Sequence, residues 1–164
     1  FSTAGDATTD YYYLNTTAAK TDSSGIFPSS STFSTSYVNG VTIVAYCFVE
    51  VEGYSKIATY LGNGSTNGPF INTGFQPAYI LIKSHTDADN WHVCDVTRSP
   101  GNPHNDVLRA NLSNAESADH ASFDVDSYSN GFKIRSTNSE LNTSAKRYIY
   151  MAFAESPVKY ANAR

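Results

Sequence analysis

Alternating apolar and polar residues recur along the chain, whereas no amphipathic helical stripe runs for more than a turn or two. Alternation puts one set of side chains on each face of a strand, so such a chain buries its apolar residues by packing sheet against sheet. Residues 41–49 read as a mostly buried strand, and residues 78–83, started after Pro77, as a second. Shorter strands are expected over residues 91–94, 123–126 and 131–135. In these, Asp124 and Asp126 lie opposite Phe123 and Val125, and Lys133 and Arg135 point outward. Residues 148–153 give the last strong strand. Clusters of Gly, Asn, Ser and Pro at 39–40, 62–64, 67–69, 99–103 and 129–131 mark the turns between them. Leu108, Leu112 and Ala115 have the spacing of one or two helical turns. The expected fold is all-β, antiparallel β-sandwich repeats of the jelly-roll or lectin-like kind, with little helix.

Composition removes several classes. Ser, Thr and Asn fill 51 of 164 positions, and charged residues are 16%, against roughly a quarter in an average domain. Aromatic residues at 13% are too many for a disordered chain. The longest apolar run, 41–49, is broken by Thr42 and falls short of the ~18–20 residues of a membrane-spanning helix. Eleven basic and fifteen acidic side chains give a net charge of −4 without a basic run, which argues against nucleic-acid binding. Cys47 and Cys94 could form one bridge but lack metal-type spacing, and both are expected to be buried apolar thiols.

An internal repeat organises the chain. A shift of 96 residues lays Gly5 on Gly101, Asp10 on Asp106, Asn15 on Asn111 and Ala19 on Ala115. A shift of 105 lays Phe48 on Phe153 and Glu50 on Glu155, within two similar strands. The chain therefore divides into a first copy, 1–59, and a second, 60–164. The first copy lacks any counterpart of residues 69–96, so its strands are expected to be completed from upstream, by another subunit, or by the second copy.

No catalytic signature emerges. Glycan hydrolysis needs two carboxylates facing each other across a cleft. The candidates are Asp87, Asp89, Asp95, Asp106, Asp124 and Asp126, and the last two share one strand face. Asp87, Asp89 and Asn90 form an oxygen-rich loop, but the spacing of a calcium-binding hand is absent and a polar turn is expected. His85, His92, His104 and His120 form no metal-type pair. No Ser occupies a nucleophile elbow, and no Gly-rich loop opens a helix. No metal and no cofactor are expected. A sugar-binding site needs an aromatic face beside polar groups, and two groupings supply that: Trp91 with Asn90 and Asp89, and Tyr128 near Asp126 and Asn130. Consecutive Tyr11, Tyr12 and Tyr13 must push at least one ring outward and read as a subunit contact.

Two longer stretches, Ala45-Tyr46-Cys47-Phe48-Val49-Glu50-Val51-Glu52-Gly53-Tyr54-Ser55-Lys56 and Tyr60-Leu61-Gly62-Asn63-Gly64-Ser65-Thr66-Asn67-Gly68-Pro69-Phe70, resemble a repeat common in structural proteins of marine tailed bacteriophages. Asn111-Leu112-Ser113-Asn114-Ala115-Glu116 and Ser129-Asn130-Gly131-Phe132-Lys133-Ile134-Arg135 fit it too. The ending from Tyr148 to Arg164 looks like the usual C-terminus of those proteins. The resemblance implies a non-enzymatic tail fibre or similar appendage on the virion surface, built as a homo-oligomer, a trimer by analogy, with other virion proteins as partners. It also implies a native end at Arg164, a portion missing before Phe1, and contact with host-surface glycan. The alternatives are a capsid-decorating or head-fibre protein and a polysaccharide-degrading tail-spike enzyme.

Overall fold

The computed structural model describes residues 10–22, 26–28, 33–35, 44 and 46–156. Twelve strands and one helical turn follow in order: β1 (Asp10–Tyr11), β2 (Thr21–Asp22), β3 (Ile26–Pro28), β4 (Phe33–Thr35), β5 (Ser55–Leu61) and β6 (Phe70–Asn72). Then come β7 (Tyr79–Ser84), β8 (His92–Asp95), β9 (Leu108–Arg109), β10 (Val125–Tyr128), β11 (Gly131–Ile134), α1 (Ser139–Asn142) and β12 (Arg147–Phe153). Every pairing is antiparallel. A five-stranded sheet has the order β5-β12-β7-β8-β9, and a three-stranded sheet the order β10-β11-β6. The pairs β1-β2 and β3-β4 are separate two-stranded ladders. The fold is thus all-β and sandwich-like, as the alternation requires.

Register explains the core. β12 is central: Tyr148, Tyr150 and Ala152 stand opposite Ser84, Ile82 and Ile80 of β7, and opposite Tyr60, Ala58 and Lys56 of β5. Period-two alternation sends Ile80, Ile82, Cys94, Tyr148, Tyr150 and Ala152 to one face, where they meet Ile71, Val125, Phe132 and Ile134 of the small sheet. The Phe132 ring stands edge-on to Tyr150 at 5.3 Å and to Tyr60 at 6.4 Å, and so locks the two sheets face to face. Full burial of an aromatic of this size contributes about 1.5–3 kcal/mol.

Two of the core phenols find acceptors at the rim. Tyr60 donates to the Leu141 carbonyl at 2.8 Å and Tyr148 to the Ser139 carbonyl at 2.6 Å, which pins α1 across the end of the sandwich. Asn142, fully buried, gives its amide to the Ser65 and Ser136 carbonyls at 2.8 Å and takes the Asn63 N–H at 2.8 Å. Asn138 caps α1 by accepting from the Glu140 N–H.

The structure alters several sequence expectations. Val44 and residues 46–50 form no strand, and their side chains are exposed rather than buried; residues 41–43 and 45 lie outside the described residues. The strand expected from Phe123 begins at Val125 and runs on to Tyr128, because Phe123 closes a turn with its N–H on the His120 carbonyl. Leu108 opens β9, Leu112 is exposed in a loop, and Ala115 is likewise not helical; the strand-to-strand pairing of β9 with β8 overrides the helical spacing. Cys94 is buried, whereas Cys47 is exposed; both are free. The division at residues 59/60 falls inside β5, whose seven residues all pair with β12.

Candidate functional site

The Trp91, Asn90 and Asp89 grouping is brought together at the α1 end of the sandwich, but as a tightly bonded network. The Asn90 amide donates to Glu140 Oε1 at 2.7 Å, and its oxygen accepts from Asn111 at 2.9 Å. Arg109 Nε meets both Glu140 oxygens at 3.0 Å, and Asp89 accepts from the Ser139 hydroxyl at 3.1 Å. Trp91 is buried, its indole N–H on the Tyr13 carbonyl at 2.8 Å and its ring edge-on to Tyr12 at 5.9 Å. Its role is to dock the segment 10–22 on the back of the five-stranded sheet. Tyr12 adds a hydrogen bond between its hydroxyl and His85 Nδ1 at 2.6 Å. Tyr11 and Tyr13 stand edge-to-face at 5.2 Å, and Tyr13 is the ring turned to solvent.

Lys83 completes this anchor. It is fully buried, and its ammonium donates to the carbonyls of Ser84, Asp87 and Thr17 at 3.1, 3.2 and 3.3 Å. Burial holds its pKa below the usual lysine value, against the pull of Asp89, Asp87 and Glu140. Asp87 pairs with Lys146 at 3.0 Å.

The remaining carboxylates serve local structure. Asp95 accepts the Thr97 N–H, and Asp106 the Asp119 N–H. Asp126 pairs with Arg135 at 3.7 Å and accepts from the Tyr128 hydroxyl at 3.3 Å. Asp124 Oδ1 is buried with no hydrogen-bond partner among the described residues. No three His, Cys, Asp or Glu side chains gather to hold a metal ion, among the described residues.

The histidines divide by environment. His104 Nε2 lies 2.7 Å from Ser127 Oγ, and its Nδ1 meets the Ser99 carbonyl. A carbonyl only accepts, so Nδ1 carries a proton and donates to Ser99. Sequence reasoning missed this Ser–His contact, since 23 residues separate its members. A carbonyl stands where a catalytic triad places a carboxylate, and both side chains are buried. His92 is buried in the core, stacked on Phe123 at 5.3 Å, with Arg109 over the same Phe ring. Burial, and then the Arg109 charge, push its pKa down to about 3.

Two apolar surfaces remain. On the three-stranded sheet, Tyr128 and Phe70 are exposed edge-to-face at 5.8 Å. Tyr128 was legible from its sequence setting; Phe70 was not, because β6 has only three residues and little alternation to display. The second surface is the segment before β5. Val44 is 77% and Tyr46 83% exposed, and Phe48, Val49 and Val51 are exposed too. This segment touches β5 at its end only: Val51 and Ser55 exchange backbone bonds, and Glu50 takes the Ile57 N–H at 3.1 Å and Lys56 at 3.0 Å. Even-numbered residues of β5 bond β12, so odd-numbered ones present their backbone at the outer edge.

A family model described as a domain of unknown function (DUF7483) matches residues 2–157. No curated protein and no solved structure matches the chain.

Proposed function

The chain belongs to the DUF7483 family, and we propose that it is a non-enzymatic structural component of a bacteriophage virion, built as a homo-oligomer into a tail fibre or similar surface appendage. The virion assignment is supported by the resemblance of residues 45–56, 60–70 and 148–164 to the repeats of such proteins. An appendage of this kind meets host-surface glycan, and glycan contact is part of the proposal. The structural role rests on one observation above all: an apolar segment, Val44 and residues 46–51, lies exposed beside the edge of β5. Contiguous exposed apolar side chains beside a sheet edge mark a surface that another chain covers. The local engagement of the carboxylates fits a structural role.

Cys47 gives the test a built-in reporter, because it lies within that segment while Cys94 is buried with its thiol pushed up to about 12. Light scattering on purified chain should give the mass of several copies, with Cys47 protected from a thiol reagent. Phe48→Asp with Val49→Asp should return the single-chain mass and expose Cys47. A wild-type mass of one copy with Cys47 fully reactive would remove the homo-oligomer. Antibody labelling of intact particles then separates tail from head, and the absence of label on any particle would sink the virion assignment.

A further inference from the structure

We propose that the outer face of the three-stranded sheet is a saccharide-binding platform, centred on the rings of Phe70 and Tyr128 and suited to an uncharged pyranose. It deepens the glycan-contact part of the proposed function, and rests on it, by naming the surface and the ligand class.

In β10 and β11, Val125, Ser127, Phe132 and Ile134 are buried, so Asp126, Tyr128 and Lys133 share the opposite face, and Asp124 and Arg135, bonded to each other just beyond the strand ends, continue it. In β6, Ile71 is buried, and Phe70 and Asn72 lie outward. Phe70 is 46% and Tyr128 40% exposed, large values for rings held in regular strands. Their 72° interplanar angle offers an approaching ligand the face of one ring beside the edge of the other. The position of Phe70 is enforced by Gly131: a Cβ there would come 3.0 Å from the tip of the Phe70 ring and 2.1 Å from the Ile71 carbonyl. The glycine therefore lets the ring lie down over the sheet rather than stand away from it.

The surroundings select the ligand. A pyranose presents one face of C–H groups, which suits the negative face of an aromatic ring, and hydroxyls around its perimeter. Asp126, already turned toward Tyr128 by the phenol, and the partly exposed Arg135 supply an acceptor and donors beside the rings. Asn72 adds an exposed amide. The titratable groups on this face are Asp124, Asp126, Tyr128, Lys133 and Arg135, so two cations balance two carboxylates at neutral pH. That balance gives no net attraction to a sulfated or uronic sugar. The apolar area is confined to two rings with polar neighbours, far below the ~800 Å² per partner of a standard protein interface. A small polar-rimmed aromatic surface fits a ring-sized ligand.

The test is a glycan array probed with the full chain, followed by titration of the best-bound neutral oligosaccharide while backbone amide NMR shifts are followed. The expected result is binding to neutral glycans, with shifts concentrated at Phe70, Asp126, Tyr128 and Lys133. Tyr128→Ala should weaken binding roughly tenfold or more, the loss of about one ring's worth of contact. Tyr128→Phe should keep most of it. Absence of binding on the array, shifts that map to another face, or unchanged affinity in a folded Tyr128→Ala chain would each overturn the platform. Should Tyr128→Ala fail to fold, the wild-type shift map alone decides. Particle labelling and oligomer mass do not depend on this face, so its failure and that of the structural role are told apart.

Discussion

β12 and the residues 105 positions before it carry one pattern and meet opposite fates. In β12, Ile149, Tyr150 and Ala152 are buried between two neighbouring strands. Their counterparts by the repeat include Val44 and Cys47, which stand in solvent beside Phe48, the counterpart of Phe153. Phe48 even touches its counterpart, edge-on at 5.7 Å. What separates the two is partners: β12 is laddered to β5 and β7 along its length, whereas residues 46–51 meet β5 through the Val51–Ser55 bridge and a few bonds of Val49 and Glu50. A strand sequence is a request for neighbours, and burial follows only where the fold supplies them.

Paired substitutions should separate the two positions. Ile149→Ala removes buried methylenes from the paired strand and should cost about 2–5 kcal/mol in chemical denaturation. Val44→Ala, its counterpart, should fall within about 0.5 kcal/mol, as exposed positions do. Equal losses would mean that the segment is as much part of the fold as β12.

Acid acts next on the sheet, where His92 is buried in β8. His92 in β8 titrates near 3 in the folded chain and near its ordinary 6.5 when unfolded. Between those values the unfolded chain holds a proton that the folded one refuses, so stability is lost as pH falls from about 6.5 towards 3. The slope from this group is at most about 1.4 kcal/mol per pH unit. Denaturation midpoints across that window should show it, and His92→Gln should flatten the slope whatever its effect on absolute stability. An unchanged slope would move the titration to another group.

The smallest effect concerns what holds the segment to β5. Glu50 and Lys56 form an exposed pair at 3.0 Å, and the hydrogen bond from Lys56 leads the lowering of the Glu50 pKa. Exposed pairs contribute about 0–1 kcal/mol and are screened by salt. Lys56→Ala should therefore change stability by less than about 1 kcal/mol, with the difference vanishing at high salt. A loss that persisted in salt would show that the segment is held by more than this pair.

Alternation over four or more residues located several strands, although the 41–49 run forms no strand at Val44 or residues 46–50. β7, β8, β11 and β12 all lie close to where the pattern put them. β6 and β9, of three and two residues, were too short to carry a period, and β5 was hidden within a stretch whose side chains are mostly half-buried. The candidate site was legible in part. Tyr128 stood out beside Asp126 and Asn130, but Phe70 reaches it only through the β11-β6 pairing, which no local pattern announces. Trp91 illustrates the opposite difficulty: its polar neighbours suggested an open surface, yet Asn90 and Asp89 spend their hydrogen bonds on Glu140, Asn111 and Ser139.

The register of β5 on β12 also has a mechanical meaning. Ser55 faces Phe153, so the chain enters β5 and leaves β12 at the same end of the sheet. Tension applied at those two points pulls across the ladder rather than along it, and loads one pair at a time, starting with Ser55 and Phe153. In a longer filament the sandwich would hang from the line of force as a side lobe. It would peel open gradually from that end instead of resisting in shear.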